Sequence, residues 1–138
     1  YTLPPALDGA LRAQGDFPGG IHAAEHAMIS MFPFQFLCDR RDIGGLSTPM
    51  HPHTDRSTIF IYDGYPGGVG LARRGYETID DLAETTLSML DSCDCEHGCP
   101  ACVQSPHCGN ANDPLDKHVA IDLLTALVTG DLPATAER

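Results

Sequence analysis

Apolar residues recur at helical spacing in three stretches of the chain and run almost without interruption in a fourth. Ile21, Ala24, Met28 and Met31 or Phe32 share a face of a helix predicted from about Ile21 to Phe32. The helix is apolar nearly all round, which places it in the core. Pro18-Gly19-Gly20 is read as a break before it. Pro33 interrupts or kinks it, and Phe34-Gln35-Phe36-Leu37 continues the apolar run into Cys38. Ile79, Leu82, Ala83, Thr86, Leu87 and Leu90 trace a second helical face, and Leu115, Val119, Leu123, Ala126 and Leu127 a third. Thr78 with Asp80 and Asp81 has the pattern of an N-cap and an acidic first turn, and Asp113 before Pro114 has the pattern of another cap. Gly130 is the natural stop of the last helix.

The continuous run is Ser57–Tyr62, β-branched and aromatic, which predicts a strand buried on both faces. Ile43–Thr48 is a shorter, glycine-broken strand edge, and 49–56 is a loop carrying His51 and His53. Asp63–Gly70 is a glycine-rich turn, and Leu71–Gly75 is the end of a short helix. These elements predict a small single α+β domain, a few helices packed on a short sheet. Residues 1–19 read as a linker or the end of a preceding domain, holding at most one short helix around Ala6–Ala13. Residues 20–130 are the domain proper, and 131–138 a flexible tail.

Composition narrows the function classes. The chain has 138 residues with 42% hydrophobic content, enough for one modest core. No apolar run approaches the length of a membrane span. The formal net charge is −11, with one lysine (Lys117) and seven arginines, so no overall field draws the chain to nucleic acid. Contact with phosphate would have to be local, and Arg40-Arg41 and Arg73-Arg74 are the paired basic residues. Ordinary surface or ion-paired arginines are the competing reading.

Five of the six cysteines fall in Cys93-x-Cys95-x3-Cys99-x2-Cys102-x5-Cys108. Cys99-Pro100-Ala101-Cys102 has the tight-turn spacing that lets two thiolates face one metal, and Zn2+ takes four tetrahedral ligands, soft thiolates among them. Such short spacings pair poorly as disulfides. Redox and iron–sulfur chemistry are the other competitors. Cys99, Cys102 and Cys95 form the core of the ligand set, and the fourth is Cys93 or Cys108. His97 and His107 are minor alternatives. Cysteines gathered in one metal-type cluster suit a reducing, cytoplasmic setting. The cluster sits between the last two predicted helices, which it would staple together.

Two further patterns carry chemistry in principle. His22-Ala23-Ala24-Glu25-His26 sets two imidazoles one helical turn apart beside a carboxylate, the inverted-zincin arrangement of a metallohydrolase. The alternative is a plain polar interaction of Glu25 and His26, with an arginine of the 39–42 loop as partner. The Asp63–Gly70 loop offers backbone N–H groups but lacks the Gly-Lys-Ser/Thr of a P-loop, so a structural turn is the default. Cys38, with no adjacent base, reads as a buried thiol.

Taken together, His22–His26, Cys38-Asp-Arg-Arg-Asp-Ile-Gly-Gly45, Ile59-Phe-Ile-Tyr-Asp-Gly-Tyr-Pro-Gly-Gly-Val-Gly70, the run from Cys93 to Asn110 and Pro114-Leu-Asp-Lys117 resemble the MrfA zinc-binding (MZB) domain. That domain is the C-terminal module of MrfA/Hrq-type superfamily II DNA helicases, which are RecQ-like. The resemblance runs in order from roughly Gly20 to Val128. It implies a parent that is an ATP-dependent 3′-to-5′ helicase and translocase in DNA repair, with ATP and Mg2+ held by its core. It implies structural Zn2+ here, with the helicase core domains as partners and single-stranded DNA met in their company. Relatives of the module in other helicase clades keep C-x-C-x3-C-x2-C without the last cysteine, so the resemblance favours Cys93 over Cys108 as fourth ligand. The sequence has no Walker A lysine motif and no DEAH-type box, so these residues by themselves are expected to lack ATPase and unwinding activity. A protein-docking module without direct DNA contact is the remaining alternative.

Overall fold

A computed structural model describes residues 3–13, 15–35, 43–51, 56–63, 70–95, 103 and 115–130. In chain order the elements are α1 (Pro5–Arg12), α2 (Phe17–Gln35), β1 (Ile43–His51), β2 (Arg56–Asp63), α3 (Leu71–Glu77), α4 (Ile79–Ser92) and α5 (Lys117–Thr129). The class is α+β, with one two-stranded antiparallel sheet among the described residues.

The β1–β2 hairpin, α4 and α5 pack around α2, with α1 against α5 and α3 against β2 and α4. Ile21, Ala23, Ala24, Ala27, Met28, Ile29, Met31 and Phe32 are buried, so α2 is enclosed all round, as its composition predicts. α4 and α5 also pack against each other. The helix begins earlier than the Pro18-Gly19-Gly20 break implies. Asp16 Oδ1 accepts from the Gly19 N–H at 3.0 Å and the Asp16 carbonyl accepts from Gly20 N–H at 2.8 Å, so Asp16 acts as the N-cap. Pro18 lies in the first turn, where its missing N–H costs nothing. Gly20 is a packing requirement, since a Cβ there would run into the Val119 side chain of α5. Pro33 lies inside the last turn of α2, which continues to Gln35.

The hairpin register pairs Ile43 with Asp63, Leu46 with Phe60 and Thr48 with Thr58, then slips before His51 pairs with Arg56. The slip falls at Pro49, which has no N–H for the ladder. β1 therefore runs through part of the expected 49–56 loop. Burial of β2 on both faces does not hold along its length. Ser57, Thr58 and Ile59 are buried, but Tyr62 is 53% exposed, because the helices cover one face of the hairpin. At the buried end the N-terminal segment joins the unit, with Leu3 N–H donating to Ser57 O at 3.0 Å and Leu3, Leu7 and Leu11 all buried. Residues 3–13 are thus part of the same core.

Two caps differ from the sequence expectation. The Thr78 side chain does not cap α4; its hydroxyl donates back to Arg74 O of α3 at 2.8 Å. The cap of α5 is Asp116, whose carboxylate accepts from Val119 N–H at 3.0 Å, so the helix starts three residues later than the Asp113–Pro114 pattern suggested. Asp113 and Pro114, the expected tail 131–138 and the loops around Cys38 and 64–69 lie outside the described residues. α3 extends to Glu77, beyond the Gly75 end expected for it, and opens at Gly70, whose φ of 79° suits glycine. The stripe of α4 is as read, with Leu82, Ala83, Thr86 and Leu90 buried; on α5 Val119 and Leu123 are buried and Ala126 and Leu127 half-buried, while Leu115 lies before the helix. Gly130 ends α5 with φ 77°.

Candidate metal centre

Helix α4 delivers the first two cysteines. It ends at Ser92, and Cys93 turns the chain into an extended conformation with φ −80° and ψ 125°, its N–H still donating to Leu90 O at 3.3 Å. Side chains two positions apart in extended chain share a face, and here the Cys93 and Cys95 sulfurs close to 3.5 Å from each other. Both are half-buried and pack against the hydrophobic core. With Zn–S bonds of about 2.3 Å, two thiolates on one tetrahedral zinc stand about 3.8 Å apart. The pair therefore fits two ligand positions of one metal. Cys99, Cys102 and Cys108, with His97 and His107, lie outside the described residues.

Two side chains distant in sequence hold this segment. Lys117, the first residue of α5, is 4% exposed, and its Nζ reaches Cys95 O at 2.7 Å, Cys93 O at 3.1 Å and Cys95 Sγ at 3.2 Å. His26 of α2 lies 2.7 Å from the carbonyl of Val103, itself fully buried one residue after Cys102. A carbonyl can only accept, so Nδ1 of His26 carries the proton in this contact. One anchor fixes the start of the cysteine segment to α5, the other fixes its middle to α2. Sequence reading missed both. The signal it overlooked was that the sole lysine, an amphipathic residue rarely fully buried, lies one residue into an apolar helix.

The His22-Glu25-His26 motif is inside the protein. The three residues are 6%, 5% and 4% exposed, and the two imidazoles meet edge to face with centroids 4.2 Å apart. Burial pushes the Glu25 carboxyl up to about 7, against a smaller opposing effect from its hydrogen bond with Ser47 of β1. Gly45 lets β1 pass directly over this carboxylate: a Cβ there would stand 2.8 Å from Glu25 Oε2 and 2.7 Å from Ile29 Cδ1. Described partners of the motif are thus Ser47 and Val103; the 39–42 loop expected to supply an arginine is outside the described residues. Among the described residues no group of three or more His, Cys, Asp or Glu side chains could hold a metal ion.

Of the paired arginines, Arg73 and Arg74 lie exposed on α3, and Arg73 makes an exposed ion pair with Glu77 at 3.0 Å. Arg40 and Arg41 lie outside the described residues. No helix among the described residues is long and apolar enough to cross a membrane.

Comparison with known proteins places this geometry. The model of the MrfA Zn-binding (MZB) domain family matches residues 24–103, more than half the chain. The chain belongs to the MZB family. The matched span of the MZB domain encloses Cys93, Cys95, Cys99 and Cys102 and stops short of Cys108. An uncharacterized protein of Methanocaldococcus jannaschii is 41% identical over 112 residues, covering 79% of this chain and all of that protein. The ATP-dependent helicase YprA of Bacillus subtilis is 39% identical over 71 residues, covering 51% of this chain and 10% of the helicase. The ATP-dependent helicase HRQ1 of Saccharomyces cerevisiae is 31% identical over 113 residues, covering 75% of this chain and again 10% of the helicase. The crystal structure of the DUF1998 helicase MrfA bound to DNA matches with a TM-score of 0.64 at 28% identity, over 86% of this chain and 14% of that one. The chain thus spans the whole of the archaeal relative and about a tenth of these helicases.

Proposed function

We propose that this MZB domain is the zinc-stapled accessory module of an ATP-dependent DNA helicase of the MrfA/Hrq kind. In this reading Cys93, Cys95, Cys99 and Cys102 hold one structural Zn2+. Four thiolates leave no open coordination position, so the metal supplies folding energy and no bound nucleophile. The observation that carries the ligand set is the family match, which includes these four cysteines and ends before Cys108. The 3.5 Å approach of the Cys93 and Cys95 sulfurs supports it independently.

The motor belongs to the helicase core, where ATP and Mg2+ bind. The likeness to about a seventh of a DNA-bound helicase supports a place within such an assembly. The finer features, 3′-to-5′ translocation, service in DNA repair and a cytoplasmic location, follow from the family resemblance. Single-stranded DNA is met together with the core, and Arg40, Arg41, Arg73 and Arg74 are the residues whose charge suits contact with its phosphates. The exposed Arg73–Glu77 pair is too weak to hold Arg73 away from a phosphate.

Photocrosslinking tests this function. Single-stranded DNA should crosslink to the module within an intact MrfA-type helicase, and the 138-residue chain alone should bind it weakly, as its charge of −11 dictates. Tight, salt-sensitive binding by the chain alone would overturn the accessory reading. Absence of crosslinks in the intact helicase would leave protein docking as the role.

A further inference from the structure

Lys117 is an expensive residue where it stands. It is the only lysine of the chain, it is 4% exposed, and it occupies the first turn of α5. A helix N-terminus carries partial positive charge and repels a cation. Burying an ammonium is costly unless negative charge and hydrogen bonds compensate for the lost hydration. An ammonium has three N–H donors, and three acceptors of the cysteine segment surround this one: two backbone carbonyls and the Cys95 sulfur at 3.2 Å. A neutral thiol is a weak acceptor and carries no charge, so the contact with Cys95 Sγ is stronger to a thiolate than to a thiol. A closed zinc site of four thiolates supplies that charge, since four negative sulfurs and one Zn2+ leave a net charge of −2.

We propose that Lys117 is the outer partner of the zinc site, a positioning residue that donates an N–H···S hydrogen bond to Cys95, clamps the Cys93 and Cys95 carbonyls, and offsets the charge of the thiolate cluster. The inference rests on the zinc reading above. It gives the staple a second function: the metal site and the start of α5 stabilise each other, so zinc occupancy is coupled to the α4–α5 packing through a single side chain. Without the cation, the sulfur is a stronger donor, more basic and more open to electrophiles, and the site binds zinc less tightly.

The test compares wild type, Lys117→Met and Lys117→Arg as the 138-residue chain. Zinc affinity is read by competition with a chromophoric chelator, and thiol protection by the iodoacetamide alkylation rate of the zinc-loaded protein, resolved by cysteine. Lys117→Met should lose about 10–100-fold in zinc affinity, the usual effect of deleting an outer-shell partner. Alkylation of Cys95 should accelerate, the cobalt-substituted protein should shift its sulfur-to-metal charge-transfer band to lower energy, and Lys117→Arg should recover most of the affinity. A purely structural lysine would lower the thermal midpoints of metal-free and zinc-loaded protein together and leave affinity and band energy unmoved, which would overturn the proposal. Should Lys117→Met fail to fold, wild type answers alone. With one lysine in the chain, nitrogen-labelled lysine gives a single ammonium signal, which in protein loaded with an NMR-active cadmium isotope should show slowed proton exchange and a scalar coupling to the metal. A rapidly exchanging, uncoupled signal would refute the contact. A wild-type chain that binds no zinc removes the zinc reading and this proposal together; one that binds zinc as tightly with methionine at position 117 removes this proposal only.

Discussion

Glu25 gives the sharpest handle on the core between α2 and β1. It is 5% exposed, enclosed by α2 and β1, and its carboxyl titrates at about 7 in the folded chain against an ordinary 4.5. Burial is the main cause, with the Ser47 hydrogen bond opposing it. Between those values the folded protein binds a proton that the unfolded chain has released, so the contribution is fully present below 4.5 and is lost as pH rises through 7. At about 1.4 kcal/mol per pH unit, the loss amounts to about 3 kcal/mol across the window. A small domain has about 5–15 kcal/mol in total, so the effect is large enough to see. Glu25→Gln keeps the shape and a hydrogen-bonding group for Ser47 but cannot ionise. Urea unfolding of zinc-saturated wild type and Glu25→Gln from pH 4 to 8.5 isolates the effect, because proton competition with zinc is common to both and cancels in the difference. The variant should match wild type within error near pH 4 and exceed it by about 3 kcal/mol above pH 7.5. Parallel curves over the whole range would refute the argument.

Two further outcomes test the packing. Gly20→Ala should destabilise by about 1–3 kcal/mol, because the added methyl meets Val119, and Val119→Ala in the same chain should recover part of that loss in a denaturant titration. Leu11→Ala should cost about 2–5 kcal/mol, since Leu11 is fully buried; an unchanged midpoint would make residues 1–19 a linker after all.

Where periodicity and burial agree, the chain was legible. The stripes of α4 and α5, the apolar wrap of α2 and the β2 run all emerge from the spacing of apolar residues, because each is a local pattern. Helix starts were harder. Asp113-Pro114 has a better local cap pattern than Asp116, but it is Asp116 whose carboxylate reaches the Val119 N–H and whose own N–H donates to Gly19 O at 2.9 Å. Pro18-Gly19-Gly20 looked like a break, yet Asp16 caps it and the missing Cβ atoms admit α5. The cysteine spacing is a local pattern too, and it agrees with the Zn-binding family whose model matches the chain. The anchors of that segment are not local, because Lys117 to Cys95 and His26 to Val103 span 22 and 77 residues, and no local signal reports such contacts. The same distance explains why His22-Glu25-His26 resembled a catalytic motif: which partners the side chains find is decided by β1 and the cysteine segment.

We propose one structural zinc held by Cys93, Cys95, Cys99 and Cys102, with Cys108 in surplus. Metal content per chain, measured on wild type, Cys93→Ser and Cys108→Ser after dialysis against a competing chelator, tests it most directly. One zinc in wild type and in Cys108→Ser, with none retained by Cys93→Ser, is the result expected. Zinc kept by Cys93→Ser and lost by Cys108→Ser, or no zinc in wild type, would contradict the account.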